Sequence, residues 1–187
     1  SGHEPSPAGF VGAGMLDGAV CGSVLTSPTP DQILEAVKSV QTDEGVLLII
    51  KNYTGDVMNV ELAMEMAEAE GIKIDKVVVN DDVAVMNSTY TVGRRGIAGT
   101  VLIHKIAGAA AEAGLELSEV KAVAEKAISN TRSMGIAISP CIVPEAGKPN
   151  FVLEENEMEI GMGIHGEPGI EKVNLMTADE IAETLFK

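Results

Sequence analysis

The segment Val46-Leu47-Leu48-Ile49-Ile50-Lys51 constrains this chain more than any other. A strand sends successive side chains to opposite faces, so an unbroken apolar run must be covered on both. That is the signature of a central strand in a parallel sheet. The neighbouring segments fit such a sheet. Asn52-Tyr53-Thr54-Gly55-Asp56 reads as a polar turn. Val57, Val60, Met64 and Ala67 then recur at helical spacing, which predicts a helix over 57–70 with Gly71 as its stop. Ile74 to Val79 is the next strand. Strand, turn, helix and strand make a βαβ crossover, whose two strands run parallel.

The flanking segments carry weaker signals. Residues 1–28 are rich in Gly, Pro and Ser and read as loop, with a short strand near Ala19–Val24. Thr29-Pro30-Asp31-Gln32 has an N-cap residue, a first-turn proline and a capping-box glutamine, so a helix starts there. Asn80 to Gly99 is a long connection, and long connections are more often functional than idle. Helices are expected over 100–113 and from Ser118. Strands are expected over Met134–Ser139 and Met158–Ile164, with a loop over 141–157 between them. Thr177 and Glu180 form a second capping box, which opens a terminal helix. The order suggests an α/β domain over 1–131 and a smaller α+β unit over 132–187. About 55 residues make a small independent core, so that second unit reads as incomplete.

Charge and composition exclude several function classes. The chain has 187 residues, 13 Lys and Arg, and 28 Asp and Glu, for a net charge of −15. Phosphate backbones need a basic surface, so nucleic acid is not an expected partner. With no Trp, two Tyr and three Phe, the stacking platforms of single-strand binders are missing too. No apolar run approaches the ~20 residues of a membrane span. A soluble, cytoplasmic protein is the expectation, and the two cysteines, Cys21 and Cys141, read as buried thiols. There is no GxxxxGK[ST] loop, no HExxH and no Cys/His cluster, so neither a phosphate loop nor a metal is indicated. The Gly9–Gly14 stretch resembles a dinucleotide fingerprint only loosely and follows no convincing strand.

The residues that could carry chemistry are few. In open α/β sheets ligands sit at the carboxyl ends of strands. Lys51 ends the strongest strand and Asp56 lies five residues on. Together they could orient and deprotonate a hydroxyl, or Asp56 could cap the helix while Lys51 is solvated. His3 and His165 stand in Gly/Pro-rich loops beside glutamates, in Gly2-His3-Glu4-Pro5 and His165-Gly166-Glu167-Pro168. Such a histidine suits acid/base or nucleophilic work, or it is a structural loop residue. His104, among apolar neighbours, reads as a packing or surface residue. Arg94 and Arg95 either meet a partner or solvate the loop.

Five segments in order resemble one family. SGHEP (1–5), TSPTPDQI (26–33), LIIKNYTGD (48–56), GRRG (93–96) and IGMGIHGEPG (160–169) look like the motifs of the substrate-binding K subunit of dihydroxyacetone kinase. The resemblance implies a Rossmann-like α/β domain followed by a smaller α+β domain. It implies a substrate-binding role, with dihydroxyacetone phosphorylated by a separate L subunit or domain that carries ADP or ATP with Mg²⁺. His165 matches the histidine that forms a covalent hemiaminal with the substrate. His3 and Asp56 match the acid/base pair. Ser1, Gly2 and Lys51 match substrate-contacting positions. A homodimer is implied as well, and so is a non-catalytic alternative: a paralogue that binds dihydroxyacetone and coactivates transcription. On this resemblance the chain is a piece of a longer subunit, beginning one residue inside a substrate motif, with strands missing at both ends. The phosphoryl donor arrives with the partner, so the rim of the site should be less acidic than the surface average, through Lys51, Arg94, Arg95 and Lys105.

Overall fold

A computed structural model of the chain describes residues 2–88 and 91–187. The central strand forms as expected: β1 (Val46–Lys51) pairs in parallel with β2 (Ile74–Val79), in a register running from Val46 opposite Ile74 to Lys51 opposite Val79. Before β1 comes α1 (Pro30–Val40), and between the strands lies α2 (Thr54–Ala69). After β2 and the long connection come α3 (Thr100–Glu112) and α4 (Leu117–Asn130).

The alternation of β1 explains why both of its faces are apolar. Val46, Leu48 and Ile50 pack with Ile33, Leu34 and Val37 of α1 and Val60, Ala63 and Ala67 of α2. Leu47 and Ile49 point the other way, toward Ile103 and Ala107 of α3 and Val120, Ala124 and Ile128 of α4. Helices therefore cover both faces of the sheet, in a mixed α/β arrangement. Burying an aliphatic side chain fully is worth about 1.5–3 kcal/mol, so these two layers dominate the stability of the region. Helix starts follow their caps: the Thr29 N–H donates to Gln32 Oε1 at 3.0 Å, and the Thr177 N–H to Glu180 Oε2 at 2.8 Å. The second of these opens α5 (Ala178–Leu185).

The remaining strands are short. β3 (Ile136–Ala137), β6 (Glu157–Ile160) and β7 (Glu171–Asn174) form an antiparallel sheet in the order β3-β6-β7. β4 (Ile142–Val143) and β5 (Lys148–Pro149) pair separately, within the stretch that reads as loop. β7 has no counterpart in the sequence reading, and β3 is shorter than 134–139. No strand forms over Ala19–Val24. A Cβ on Gly22 would stand 2.6 Å from the Thr26 carbonyl oxygen, so the chain turns tightly there instead of extending. The cysteines are exposed, not buried, because both lie in such irregular segments.

The connection 80–99 is ordered by side chains that stand in for regular structure. Asp81 is fully buried and accepts from the Ile97 and Gly99 backbone N–H groups, both at 2.8 Å, and from the Ser133 hydroxyl. Asn52, at the end of β1, donates to the carbonyls of Val92 and Arg94 at 3.0 and 2.8 Å. Arg95 is not a solvated loop residue. It is fully buried, paired to Asp82 at 2.7 Å. Its guanidinium also donates to the Gly161 carbonyl at 2.6 Å and the Pro168 carbonyl at 3.5 Å. A buried charge needs a partner and hydrogen bonds on its remaining donors, and this one finds them in the later part of the chain. Arg95 thus ties the segment after β6 to the parallel sheet.

Candidate active site

Lys51 is the last residue of β1, and α2 starts at Thr54, three residues earlier than the periodicity suggests. Asp56 therefore lies in the first turn of α2, while Tyr53 holds the N-cap position with no side-chain cap bond. The cap reading of Asp56 does not hold. Lys51 is half-buried; its Nζ donates to Ser6 Oγ at 3.3 Å, which draws the N-terminal loop over the strand end. Burial pushes the Lys51 ammonium below its ordinary value, partly offset by the charges of Asp56 and Asp81.

The two loop histidines meet here. The His3 and His165 rings are edge-to-face, with centroids 4.9 Å apart at 89°. The Tyr53 ring stands against His165 at 4.6 Å and 85°. His165 is thus held between two rings in perpendicular contact. His3 Nε2 is buried without a hydrogen-bond partner among the described residues, and so is the Tyr53 hydroxyl. Burial above all, then the neighbouring His165 and Lys51, lowers His3 to about 4, so it is neutral near pH 7. Burial, and then the charge of Glu167, raises Tyr53, which stays protonated.

His165 sits in a tight turn after β6. Gly166 has φ +86°, which only glycine adopts without strain. A Cβ on Gly163 would stand 2.7 Å from Arg95 Nη1 and would collide with the Glu167 carboxylate. That close approach brings Glu167 under the turn. Glu167 is 3% exposed. One of its oxygens lies 2.8 Å from His165 Nδ1, and the other accepts the His165 backbone N–H at 2.9 Å. Burial would raise this carboxyl, but the hydrogen bonds and charge of His165 outweigh it and hold it below the usual range.

His3, Lys51, Tyr53, Asp56, His104 and His165 all line one cavity of about 660 Å³. It continues from the end of β1 along that strand, between α1 and α3. Of the residues singled out in the sequence, His3, Lys51, Asp56 and His165 converge on this space. Gly2 is exposed and outside the wall, its N–H donating to Glu4 Oε2 at 2.7 Å, and Ser1 lies outside the described residues. Glu167 and Tyr53 are the residues that sequence reasoning passed over. For Glu167 the signal was present, two residues from His165. His104, read as a packing or surface residue, is packed: it is 2% exposed, with Nδ1 unpartnered among the described residues. Of the cations expected at the rim, Lys51 is at the site, Lys105 is exposed and Arg95 is buried. Among the described residues no group of three or more His, Cys, Asp or Glu stands where it could hold a metal ion, and no helix is long and apolar enough to cross a membrane.

A neutral imidazole and a charged or polar ring of side chains around one cavity can capture an electrophilic carbon and handle a hydroxyl proton. Comparison with known proteins identifies the family. The chain matches the Dak1 domain over residues 1–187. It is 57% identical over 187 residues to the dihydroxyacetone-binding subunit DhaK of a PTS-dependent dihydroxyacetone kinase from Listeria innocua, covering 100% of this chain and 57% of that protein. Against the crystal structure of the dihydroxyacetone kinase of C. freundii the TM-score is 0.90 at 43% identity, covering 98% of this chain and 33% of that one. Against a dihydroxyacetone kinase operon co-activator it is 0.89 at 38% identity, covering 98% and 56%. The chain spans a little over half the length of the Listeria relative. It belongs to the Dak1 domain family.

Proposed function

We propose that this chain is the substrate-binding part of a dihydroxyacetone kinase, and that it holds dihydroxyacetone as a covalent hemiaminal on His165. The observation that carries the reading is the convergence of His165, His3, Lys51 and Asp56 on one cavity. A neutral imidazole nitrogen adds to a ketone carbonyl, and glycerol, with no carbonyl, cannot be captured in this way. Chemistry therefore discriminates where size would give little. The adduct fixes one hydroxyl of the triose, which is most of what phosphoryl transfer asks of the acceptor. His3 and Asp56 act as the acid/base pair at that hydroxyl. Lys51, which lines the same cavity, contacts the substrate. The nucleotide and its Mg²⁺ come on a partner subunit or domain, and the metal neutralises charge on the transferring phosphoryl group. The finer architecture belongs to the same reading: a Rossmann-like domain over 1–131, a smaller α+β domain over 132–187, a cytoplasmic location and a homodimer.

Mass spectrometry of the intact protein with dihydroxyacetone tests the reading. The wild type gains the mass of one triose, and His165→Ala does not. A wild type without adduct overturns it. The likeness to the co-activator raises a second reading, a regulator that binds dihydroxyacetone without turnover. His3 and Asp56 favour the enzyme, because binding alone does not need an acid/base pair. Turnover in a coupled assay with the nucleotide-bearing partner separates the two readings.

A further inference from the structure

We infer that Glu167 is the positioning residue that makes His165 a nucleophile, by holding its imidazole as the Nδ1–H tautomer and turning Nε2 toward the ketone carbon. The inference rests on the proposed role of His165. Its geometry is independent of that role. An ionised carboxylate only accepts hydrogen bonds. With Oε1 2.8 Å from Nδ1, the ring proton belongs on Nδ1, and the lone pair is left on Nε2. The carboxylate cannot swing away, because its other oxygen takes the His165 backbone N–H at 2.9 Å. The turn supports it further: the Gly163 N–H donates to the Glu167 carbonyl at 2.9 Å, and the Gly166 N–H to the Gly163 carbonyl at 3.0 Å. The side chain of Glu167 is 1% exposed and that of His165 is 23% exposed, so the carboxylate lies behind the ring and the ring faces the cavity. Tyr53 and His3 restrict the ring's rotation from two other directions.

The covalent step then balances around this pair. The Nε2 lone pair becomes the N–C bond. The C=O π pair moves to oxygen, which takes one proton from solvent and becomes a hydroxyl. The ring is left with its Nδ1 proton and a positive charge, compensated by Glu167 at contact distance. The adduct has thereby taken up one proton from solvent, and its imidazolium stays paired with the Glu167 carboxylate. In a dry, preorganised setting such a fixed counter-charge costs no reorganisation when the bond forms.

Glutamine cannot replace glutamate here. Its one oxygen can meet either the ring N–H or the backbone N–H, and its amide N–H₂ faces the other. Nitrogen-15 NMR of the intact, histidine-labelled protein reads the tautomer directly. The expected result is a proton on His165 Nδ1 and none on Nε2 in the ligand-free wild type. In Glu167→Gln the Nδ1–H population falls and adduct formation slows at least tenfold. Glu167→Asp, which keeps the charge, recovers part of the rate. A wild-type spectrum with the proton on Nε2 overturns the inference, and so does a Glu167→Gln protein with unchanged tautomer and rate. If that variant does not fold, the wild-type spectrum decides alone. Failure of the wild type to form an adduct strikes the proposed function instead, because the tautomer is read without dihydroxyacetone.

Discussion

His3 and His165 stand ring to ring, yet the protein holds them in opposite ways. His165 has a buried carboxylate against one nitrogen and two rings against its faces and edges. His3 has a buried Nε2 with no partner among the described residues and a value lowered to about 4. The first is a ring fixed in orientation, which is what forming a bond to carbon requires. The second is kept neutral with an open nitrogen, which suits a group that exchanges a proton with a ligand hydroxyl. Two residues of one type, in loops of similar composition, are thereby specialised by what lies behind them.

The largest expected effect tests that division. His3→Asn and Asp56→Asn should each leave the dihydroxyacetone adduct on His165 intact. Each should slow phosphoryl transfer with the nucleotide-bearing partner by about 10²–10⁴-fold. Mass spectrometry and a coupled assay on the same samples separate the two effects. If His3→Asn also removes the adduct, the two histidines share one role and the contrast collapses. The pH dependence sharpens it. Because His3 is lowered to about 4, it stays neutral down to that region, and the acid limb of transfer assigned to it should lie near pH 4. An acid limb due to His3 at the ordinary value near 6.5 would contradict its burial.

The next effect concerns what keeps the two loops facing each other. Arg95 joins Asp82, after β2, to the carbonyls of Gly161 and Pro168 on either side of His165. Arg95→Met leaves Asp82 charged and buried without its partner. Breaking such a pair costs about 3–5 kcal/mol, measurable by urea unfolding. Replacing both partners, Arg95→Met with Asp82→Leu, should recover much of that loss. Adduct formation should fall in the single variant more than the stability loss alone explains, because the His165 turn loses its anchor. An adduct rate that is unchanged in a folded Arg95→Met protein would show that the turn is positioned by Glu167 and its own glycines only.

These contrasts also mark what the sequence could reveal. The β1 segment was legible because both faces are apolar, and the capping boxes at Thr29 and Thr177 because their chemistry is local. The candidate site residues were legible as residue types in loops and strand ends. β7 was not, since Glu171–Asn174 is largely exposed and charged and shows no apolar alternation. β4 and β5, two residues each, fall below any periodic signal. Arg95 reads as a residue that meets a partner or solvates the loop, because the groups it binds lie 13, 66 and 73 residues away, a distance over which sequence pattern carries no information. Glu167 was visible two residues from His165, but its burial, which turns it from a loop carboxylate into a fixed counter-charge, comes from the packing of Gly163 and Arg95.

The third histidine gives the smallest effect and bounds how far burial alone can specialise a ring. His104 lines the same cavity from α3, and burial, then the charge of Lys51, lowers it to about 4. Its ordinary value is 6.5, so between pH 6.5 and 4 the unfolded chain binds a proton that the folded protein refuses. Stability from this residue is fully present above 6.5 and is lost as pH falls toward 4. Between pH 7 and 5 the loss is on the order of 2 kcal/mol, at about 1.36 kcal/mol per unit. His104→Phe removes that titration. Its unfolding free energy should therefore decline less than the wild type's over the same interval in urea titrations at fixed ionic strength. His3 titrates in the same window, so the variant should keep part of the slope, and His3→Asn should remove another part. If His104→Phe follows the wild-type curve, the cavity around α3 admits enough water to solvate the imidazolium. The same water would then reach His3, and the neutral, open nitrogen that distinguishes it from His165 would lose its physical basis.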